Sequence, residues 1–259
     1  MLALLTVGGV SSLALLFLFY VRPLRRSNSA MQHQMLHMGK EFIANASHEL
    51  KTPITIIRGF AETLKDLPEV SDVMFDSILE KIIRNCERME NLVASLLILT
   101  DLENNRADVH VACDLVPLLE NICTNLLHLH PEAHFEALHN QDHIIVHGNS
   151  HLLELAFSNV LRNALKYSPA KQHITITLER SLDTTLISIK DCGMGMKKDD
   201  LDHIFERFYT VDKAHSRKLG GAGLGLSIVK MIMDQHQVKT TVTSELGKGT
   251  TFSFSFPNY

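Results

Sequence analysis

Several common chemistries are missing from this sequence. The four cysteines, Cys86, Cys113, Cys123 and Cys192, form no CxxC pair and lie far apart, which argues against a disulfide frame or a cysteine zinc site. They read as reduced thiols of a cytosolic compartment. Formal net charge is −4, so no basic excess points to direct nucleic-acid binding. There is no P-loop lysine motif, no internal repeat and no low-complexity tract. The segment HELKT carries Thr52 where a zinc-protease helix needs its second histidine, so that metal site is incomplete. The fifteen histidines are scattered, and most are read as incidental. What is present is ordinary globular composition, 45% hydrophobic, over 259 residues, enough for one or two domains with length left over.

The first 21 residues differ in kind. No charged side chain occurs from Met1 to Val21, and the run is rich in Leu, Val and Phe. About 20 apolar residues span the ~30 Å hydrocarbon layer, so a transmembrane helix is expected over 1–21. Arg22, Arg25 and Arg26 follow and place the C-terminal side in the cytoplasm, as for a single-pass protein of the cytoplasmic (inner) membrane. A cleavable signal peptide fits less well, because the basic leading region and a small-residue cleavage site are missing.

Residues 22–34 read as a polar, basic juxtamembrane linker, and two long helical patterns follow. Met35, Met38, Phe42, Ala46, Leu50, Ile54, Ile57, Ala61 and Leu64 recur at helical steps until Asp66-Leu67-Pro68 breaks the pattern. Phe75, Leu79, Ile82, Cys86, Met89, Val93 and Leu96 then alternate steps of four and three, the seam of a bundle. A single hairpin has little core, so a second copy forming a dimeric four-helix bundle is expected over 35–106. Asn104 to Asp108 reads as a polar hinge. Over 107–259 the pattern becomes mixed, with helices near 114–130, 150–167 and 224–236. Strands are expected at His173–Glu179, Thr184–Lys190, Val238–Ser244 and Thr250–Phe256, with Ser181-Leu182-Asp183 closing a hairpin. This predicts an α+β sandwich.

His48 lies two residues from both Ala46 and Leu50, roughly 200° away on a helix, and is expected to face solvent. A neutral imidazole is a nucleophile, Glu49 can take a proton from its other nitrogen, and Thr52 shares its face one turn on. Pro53 is expected to bend the helix there. An exposed histidine on a helix can equally be idle.

Further on, Asn159, Asn163 and Lys166 share a helical face. Amide oxygens suit Mg²⁺, Lys166 suits phosphate, and Tyr167 can cover a base or ribose. Asp191-Cys-Gly193-Met-Gly195 follows a strand, where a carboxylate can accept from the exocyclic amine of adenine and glycines admit close approach. Gly220-Gly221-Ala-Gly223-Leu224-Gly225 opens a helix whose free amides suit phosphate. No strand precedes it, so it is no dinucleotide fingerprint. Between these lie Phe205, Arg207, Phe208, Lys213, Arg217 and Lys218, the cations and aromatics a lid over ATP needs. Each segment alone admits a bland reading as an amphipathic face or a glycine turn.

In this order the segments resemble the sensor histidine kinases of two-component systems, nearest the phosphate-regulon-sensor-like branch. FIANASHELKTPIT resembles the H box, Asn159–Tyr167 the N box, Asp191–Gly195 the G1 box, Ile204–Phe208 the F box and Gly221–Gly225 the G2 box. The resemblance implies a dimerisation and phosphoacceptor domain, then an ATPase domain with the fold of gyrase B, Hsp90 and MutL. It implies ATP and Mg²⁺ as cofactors, His48 as the phosphorylated residue, Glu49 as its base and Asn163 as a metal ligand. Asn159 and Lys166 would contact phosphate, and Asp191 would read adenine. Thr52 would help dephosphorylate a response regulator, whose receiver-domain aspartate takes the phosphoryl group. Thr210 departs from the family, which has an arginine there. Only residues 22 to 47 separate the apolar run from His48, too few for an intervening signalling domain, so the signal is expected to enter through the membrane helix, through a partner, or not at all. Two alternatives stay open: a phosphatase-biased or scaffold partner with vestigial autokinase activity, and a gyrase-like ATPase doing conformational work.

Overall fold

The computed structural model describes residues 22–66, 71–105, 111–168, 173–212 and 221–258, with side chains from Gly39 onward. The expected membrane helix over 1–21 lies outside these residues. Among those described, no helix is long and apolar enough to cross a membrane.

Helix α1 runs from Arg22 to Asp66, so the stretch 22–34, expected as a linker, is helical backbone. Nothing in 24–34 breaks a helix, and Pro23 sits in the first turn, where a missing N–H is harmless. The chain divides into two compact units at Thr52/Pro53. In the first, the Oγ of Ser47 donates to the carbonyl of Ile43 (2.8 Å) and the Oγ1 of Thr52 to that of His48 (3.3 Å). Helix α1 is continuous through Pro53.

The second unit begins with the rest of α1 and with α2 (Asp72–Asn104), whose N-cap Ser71 accepts from the amide of Met74. The expected seam on α2 is uncovered within one chain: Phe75, Leu79 and Val93 are 46%, 40% and 44% exposed, and Ile54 on α1 is 53% exposed. A different face of α2 is covered, through Leu92, Leu99 and Leu102. The expected hinge at 104–108 is tied at its described start. The Asn105 amide donates to Asp101 O, and Asn105 O accepts from Gln235 Nε2.

The remaining elements are β1 (Ala112–Asp114), α3 (Leu115–Leu129), β2 (His134–His139), β3 (Ile145–His147), α4 (Ser150–Lys166), β4 (His173–Arg180), β5 (Thr184–Asp191), α5 (Lys198–Leu201), α6 (Gly225–Gln235), β6 (Lys239–Glu245) and β7 (Gly249–Pro257). The main sheet has the order β2-β4-β5-β7-β6, antiparallel except for β2 with β4, while β1 and β3 form a separate pair. Alternation in β4, β5 and β7 turns Ile174, Ile176, Ile187, Ile189, Phe252 and Phe254 inward. The opposite face carries Thr and Ser, such as Ser188 hydrogen-bonded to Ser253. Helix α4 buries Leu153, Phe157, Val160 and Leu161, with Phe157 edge-on to Phe254 at 5.7 Å. Helix α6 adds Ile228, Val229 and Ile232. The result is one helical layer on one sheet, as the alternation predicts. The short strands β1, β2 and β3 were not expected.

Candidate functional site

His48 is exposed on α1 and Glu49 beside it is half-buried. The Thr52 hydroxyl, one turn on, is turned back onto the carbonyl of His48. The imidazole therefore stands at the surface with an acid and a hydroxyl nearby, as its helical position requires.

The second unit builds a separate polar site around the end of β5. Asp191 is 7% exposed, and its Oδ1 accepts from the amides of Gly193 (2.8 Å) and Thr250 (3.1 Å). Burial pushes its carboxyl above the usual carboxylate range, and the two amides oppose that shift. Among the described residues no group hydrogen-bonds its Oδ2, which leaves that oxygen for a ligand donor. The glycines here are sterically forced. A Cβ on Gly193 would meet the carbonyl oxygen of Tyr167 at 2.5 Å, and one on Gly249 (φ +108°) would lie 2.1 Å from that of Asp191. Gly195 has φ +64° and abuts the carbonyl of Glu245.

Along α4, Asn159 donates to Leu155 O (2.9 Å), and its Oδ1 lies so near Gly225 that a Cβ there would be 2.9 Å away. Asn163 is half-buried, and no described group hydrogen-bonds its amide side chain. Lys166, at the helix end, holds its Nζ 5.2 Å from the centre of the Tyr167 ring. Its pKa is lowered by burial and, secondarily, by the guanidinium of Arg88. Asn159 thus links the N-box helix to the start of α6, while Asn163 and Lys166 keep polar ends available.

Phe208 and Gly223 form the third piece. The Phe208 amide donates to Gly223 O (2.9 Å), both residues have positive φ (+64° and +72°), and a Cβ on Gly223 would reach Tyr209 O at 2.6 Å. Buried Leu224 is the N-cap of α6, with no side-chain cap bond. The first amides of α6 therefore point outward without an intrahelical acceptor. Arg207, expected among the lid cations, donates to Glu103 of α2 (2.5 Å) and to the sulfur of Met231. Gly221 is half-buried at the start of the segment leading to α6, while Lys213, Arg217, Lys218 and Gly220 lie outside the described residues.

Sequence reading missed Thr250, Gly249 and Ser168. Thr250 and Gly249 reach Asp191 because β7 pairs with β5, a fact of register that local sequence does not carry. Ser168, 1% exposed, has a buried hydroxyl with no hydrogen-bond partner among the described residues, 3.0 Å from where a Gly193 Cβ would stand. Of the four cysteines Cys113 is buried, Cys86 and Cys123 are half-buried and Cys192 is exposed, and all four are free.

No cluster of three or more metal-binding His, Cys, Asp or Glu exists among the described residues. A neutral amide such as Asn163, with its oxygen unclaimed, fits a magnesium ion that keeps its other ligands on water and phosphate.

Residues 39–105 match the family described as the His Kinase A (phospho-acceptor) domain, and residues 148–259 match the histidine kinase-, DNA gyrase B-, and HSP90-like ATPase family. The chain is 36% identical over 231 residues to the phosphate regulon sensor protein PhoR of Pseudomonas aeruginosa, covering 86% of this chain and 51% of PhoR. It is 34% identical over 230 residues to the sensor histidine kinase WalK of Bacillus subtilis, covering 87% and 38%. The chain thus spans about half the length of such relatives or less. The fold is shared with the histidine kinase ThkA, solved in complex with the response regulator protein TrrA. That likeness has a TM-score of 0.71 at 20% identity and covers 91% of this chain and 66% of ThkA. The histidine kinase AdeS of Acinetobacter baumannii gives 0.61 at 22%, covering 81% and 97%. With a helical hairpin that presents His48 and an ATPase domain that presents Asp191 and Asn163, the chain belongs to the sensor histidine kinases with phospho-acceptor and gyrase B/Hsp90-like ATPase domains.

Proposed function

We propose that this chain is an ATP-dependent protein-histidine kinase that phosphorylates His48 and passes the phosphoryl group to an aspartate of a response-regulator receiver domain. The observation that carries this reading is the pairing of an exposed His48 in the phospho-acceptor domain with a clamped, buried Asp191 in the ATPase domain. In the reaction a ring nitrogen of His48 attacks the terminal phosphorus while Glu49 takes the proton from the other nitrogen. The bond from that phosphorus to the bridging oxygen breaks, and ADP leaves. Asp191 would orient the base, Asn159 and the α6 amides would meet the phosphates, and Asn163 would hold Mg²⁺. The metal supplies charge neutralisation on the phosphate oxygens. Thr52 serves the reverse arm, dephosphorylation of the regulator.

Two further parts of the reading rest on apolar surface. The exposed seam of α2 supports a homodimer with a four-helix bundle. The charge-free run Met1–Val21 followed by three arginines supports a single pass through the cytoplasmic membrane with the kinase domains inside.

Incubation with ATP labelled on its terminal phosphate is the test. Wild type is expected to carry an acid-labile, base-stable phosphate that then moves to a receiver domain, and His48→Ala none. Label persisting on His48→Ala would overturn the assignment.

A further inference from the structure

Helix α3 crosses the edge of the main sheet without filling the space beneath it. A cavity of about 330 Å³ lies between α3, β2 and β4. Its floor is Ile176 and Leu178 of β4, and Leu119 and Leu127 of α3 and Phe135 of β2 stand in its walls. Ala137, between Phe135 and His139 on the same face of β2, contributes little side chain, and β2 has no further strand outside it. An apolar cavity of about 150 Å³ takes one benzene ring, so this one has room for about two fused rings. The cavity is separate from the site around Asp191. In the β4/β5 register Asp191 stands opposite Ile174, and the cavity begins farther along β4, at Ile176.

Its polar lining is one-sided. Glu120 lines it, and among the described residues no lysine or arginine does. The Thr124 hydroxyl donates to the carbonyl of Glu120 (2.8 Å), which leaves it only lone pairs to offer a ligand. The Nδ1 of His139 lies 2.9 Å from Gln141 O, and a carbonyl can only accept, so Nδ1 carries the proton and Nε2 of the neutral ring is an acceptor. Cys123, one turn on from Glu120, stays a neutral thiol, because burial and then the Glu120 carboxylate push its pKa up to about 11. An apolar floor with acceptors and one negative charge in its lining matches an apolar body that ends in a donor cation. It disfavours a carboxylate.

We propose that the cavity between α3 and β2 binds a small amphipathic amine, a flat apolar body of about two fused rings with one ammonium group that meets Glu120. The kinase reading is not needed for this. Helix α3 packs on α4, which carries Asn159 and Asn163, so the occupied cavity lies one helix away from the nucleotide site.

The test is calorimetric titration of the full chain with naphthylmethylamine, naphthylmethanol and naphthylacetate, for wild type, Glu120→Gln and Ala137→Phe. Wild type is expected to bind the amine about three- to tenfold more tightly than the alcohol, and the carboxylate least, since Glu120 is exposed and its charge is screened. Glu120→Gln is expected to remove the preference for the amine and leave the alcohol's affinity unchanged. Ala137→Phe, which places a ring in the space, is expected to abolish binding of both with the thermal unfolding of wild type kept. Bound amine is also expected to slow alkylation of Cys123, read by peptide mass, and not that of exposed Cys192. No saturable binding of the amine, carboxylate bound as tightly as amine, or Ala137→Phe binding the amine as wild type does would each overturn the proposal. If the phenylalanine variant does not fold, Glu120→Gln and the alkylation of Cys123 decide in its place.

Discussion

The helical hairpin and the ATPase domain solve the burial problem differently. In the ATPase domain the strand residues Ile174, Ile176, Ile187 and Phe254 are wholly buried within one chain. In the hairpin, Phe75, Leu79 and Val93 remain 40–46% exposed at a seam spacing that should exclude water. One domain is complete in itself, and the other presents an apolar face that a monomer leaves in water. Apolar area is worth about 25 cal/mol per Å², so the second arrangement gains stability only when the face is covered. The contrast teaches that nucleotide binding can be intrinsic to one chain, while the phospho-acceptor helices are suited to acting as a pair.

The strongest way to break this comparison is to damage the self-sufficient half. Phe254→Ala removes a wholly buried ring that packs against Phe157 and is expected to destabilise the ATPase domain by about 3–5 kcal/mol. Chemical denaturation should show this loss equally at low and high protein concentration, and a concentration-dependent loss would contradict it. Next, Leu79→Ser combined with Val93→Ser should shift analytical ultracentrifugation from dimer to monomer. The expected weakening is about 2–4 kcal/mol of association, with ATP affinity untouched. A double variant that sediments as a dimer would remove the contrast.

A subtler difference is the response to acid. His236 is 4% exposed; its Nδ1 donates to Ile232 O (2.7 Å) and its Nε2 accepts from the amide of Asn149 (3.0 Å) at the start of α4. Burial holds its pKa below the ordinary histidine value, against the smaller opposing effect of the Ile232 bond. Its folded pKa lies below the unfolded one, so the unfolded chain binds the extra proton. The stability tied to neutral His236 is therefore full above pH ~6.5 and is lost as pH falls below it. Exposed His143 and His203 have raised pKa values, from Asp114 and Glu206, and act in the opposite sense. The expected outcome is a ΔTm between wild type and His236→Asn that narrows as pH drops from 7.5 to 5.5. A pH-independent ΔTm would refute it. The smallest effect concerns the tie between the two halves. Glu103→Gln weakens the partly exposed pair with Arg207 and should cost less than about 1 kcal/mol in thermal unfolding.

Much of this was legible in the sequence, for identifiable reasons. HITITLE and TTLISIK alternate with period two, and that alternation alone sorts β4 and β5 into a core face and a wet face. His48 faces solvent because helix geometry leaves it little choice. Asp191 was recognisable as a carboxylate at a strand end before glycines. Its second clamp, the Thr250 amide, was not, because which strand lies beside β5 is decided by the packing of the whole sheet. Strand β2, HFEALH, alternates poorly and sits at a sheet edge, so nothing local marks it. Arg207 was read as a nucleotide cation on charge alone, and its distant partner Glu103 on α2 could not be seen in the local sequence. Ile54 was assigned to a covered stripe, yet a single chain leaves it half in water.

The clamp on Asp191 carries one more consequence. Both backbone donors hold the same oxygen, so the carboxylate cannot rotate to offer a different face, and its second oxygen is fixed as an acceptor. A purine with an amino group at that point gains a hydrogen bond. A purine with a keto oxygen there sets lone pair against lone pair and leaves a buried acceptor unmet. On the function proposed above, with Asp191 facing the base, ATP is therefore expected to bind more tightly than GTP in competitive displacement.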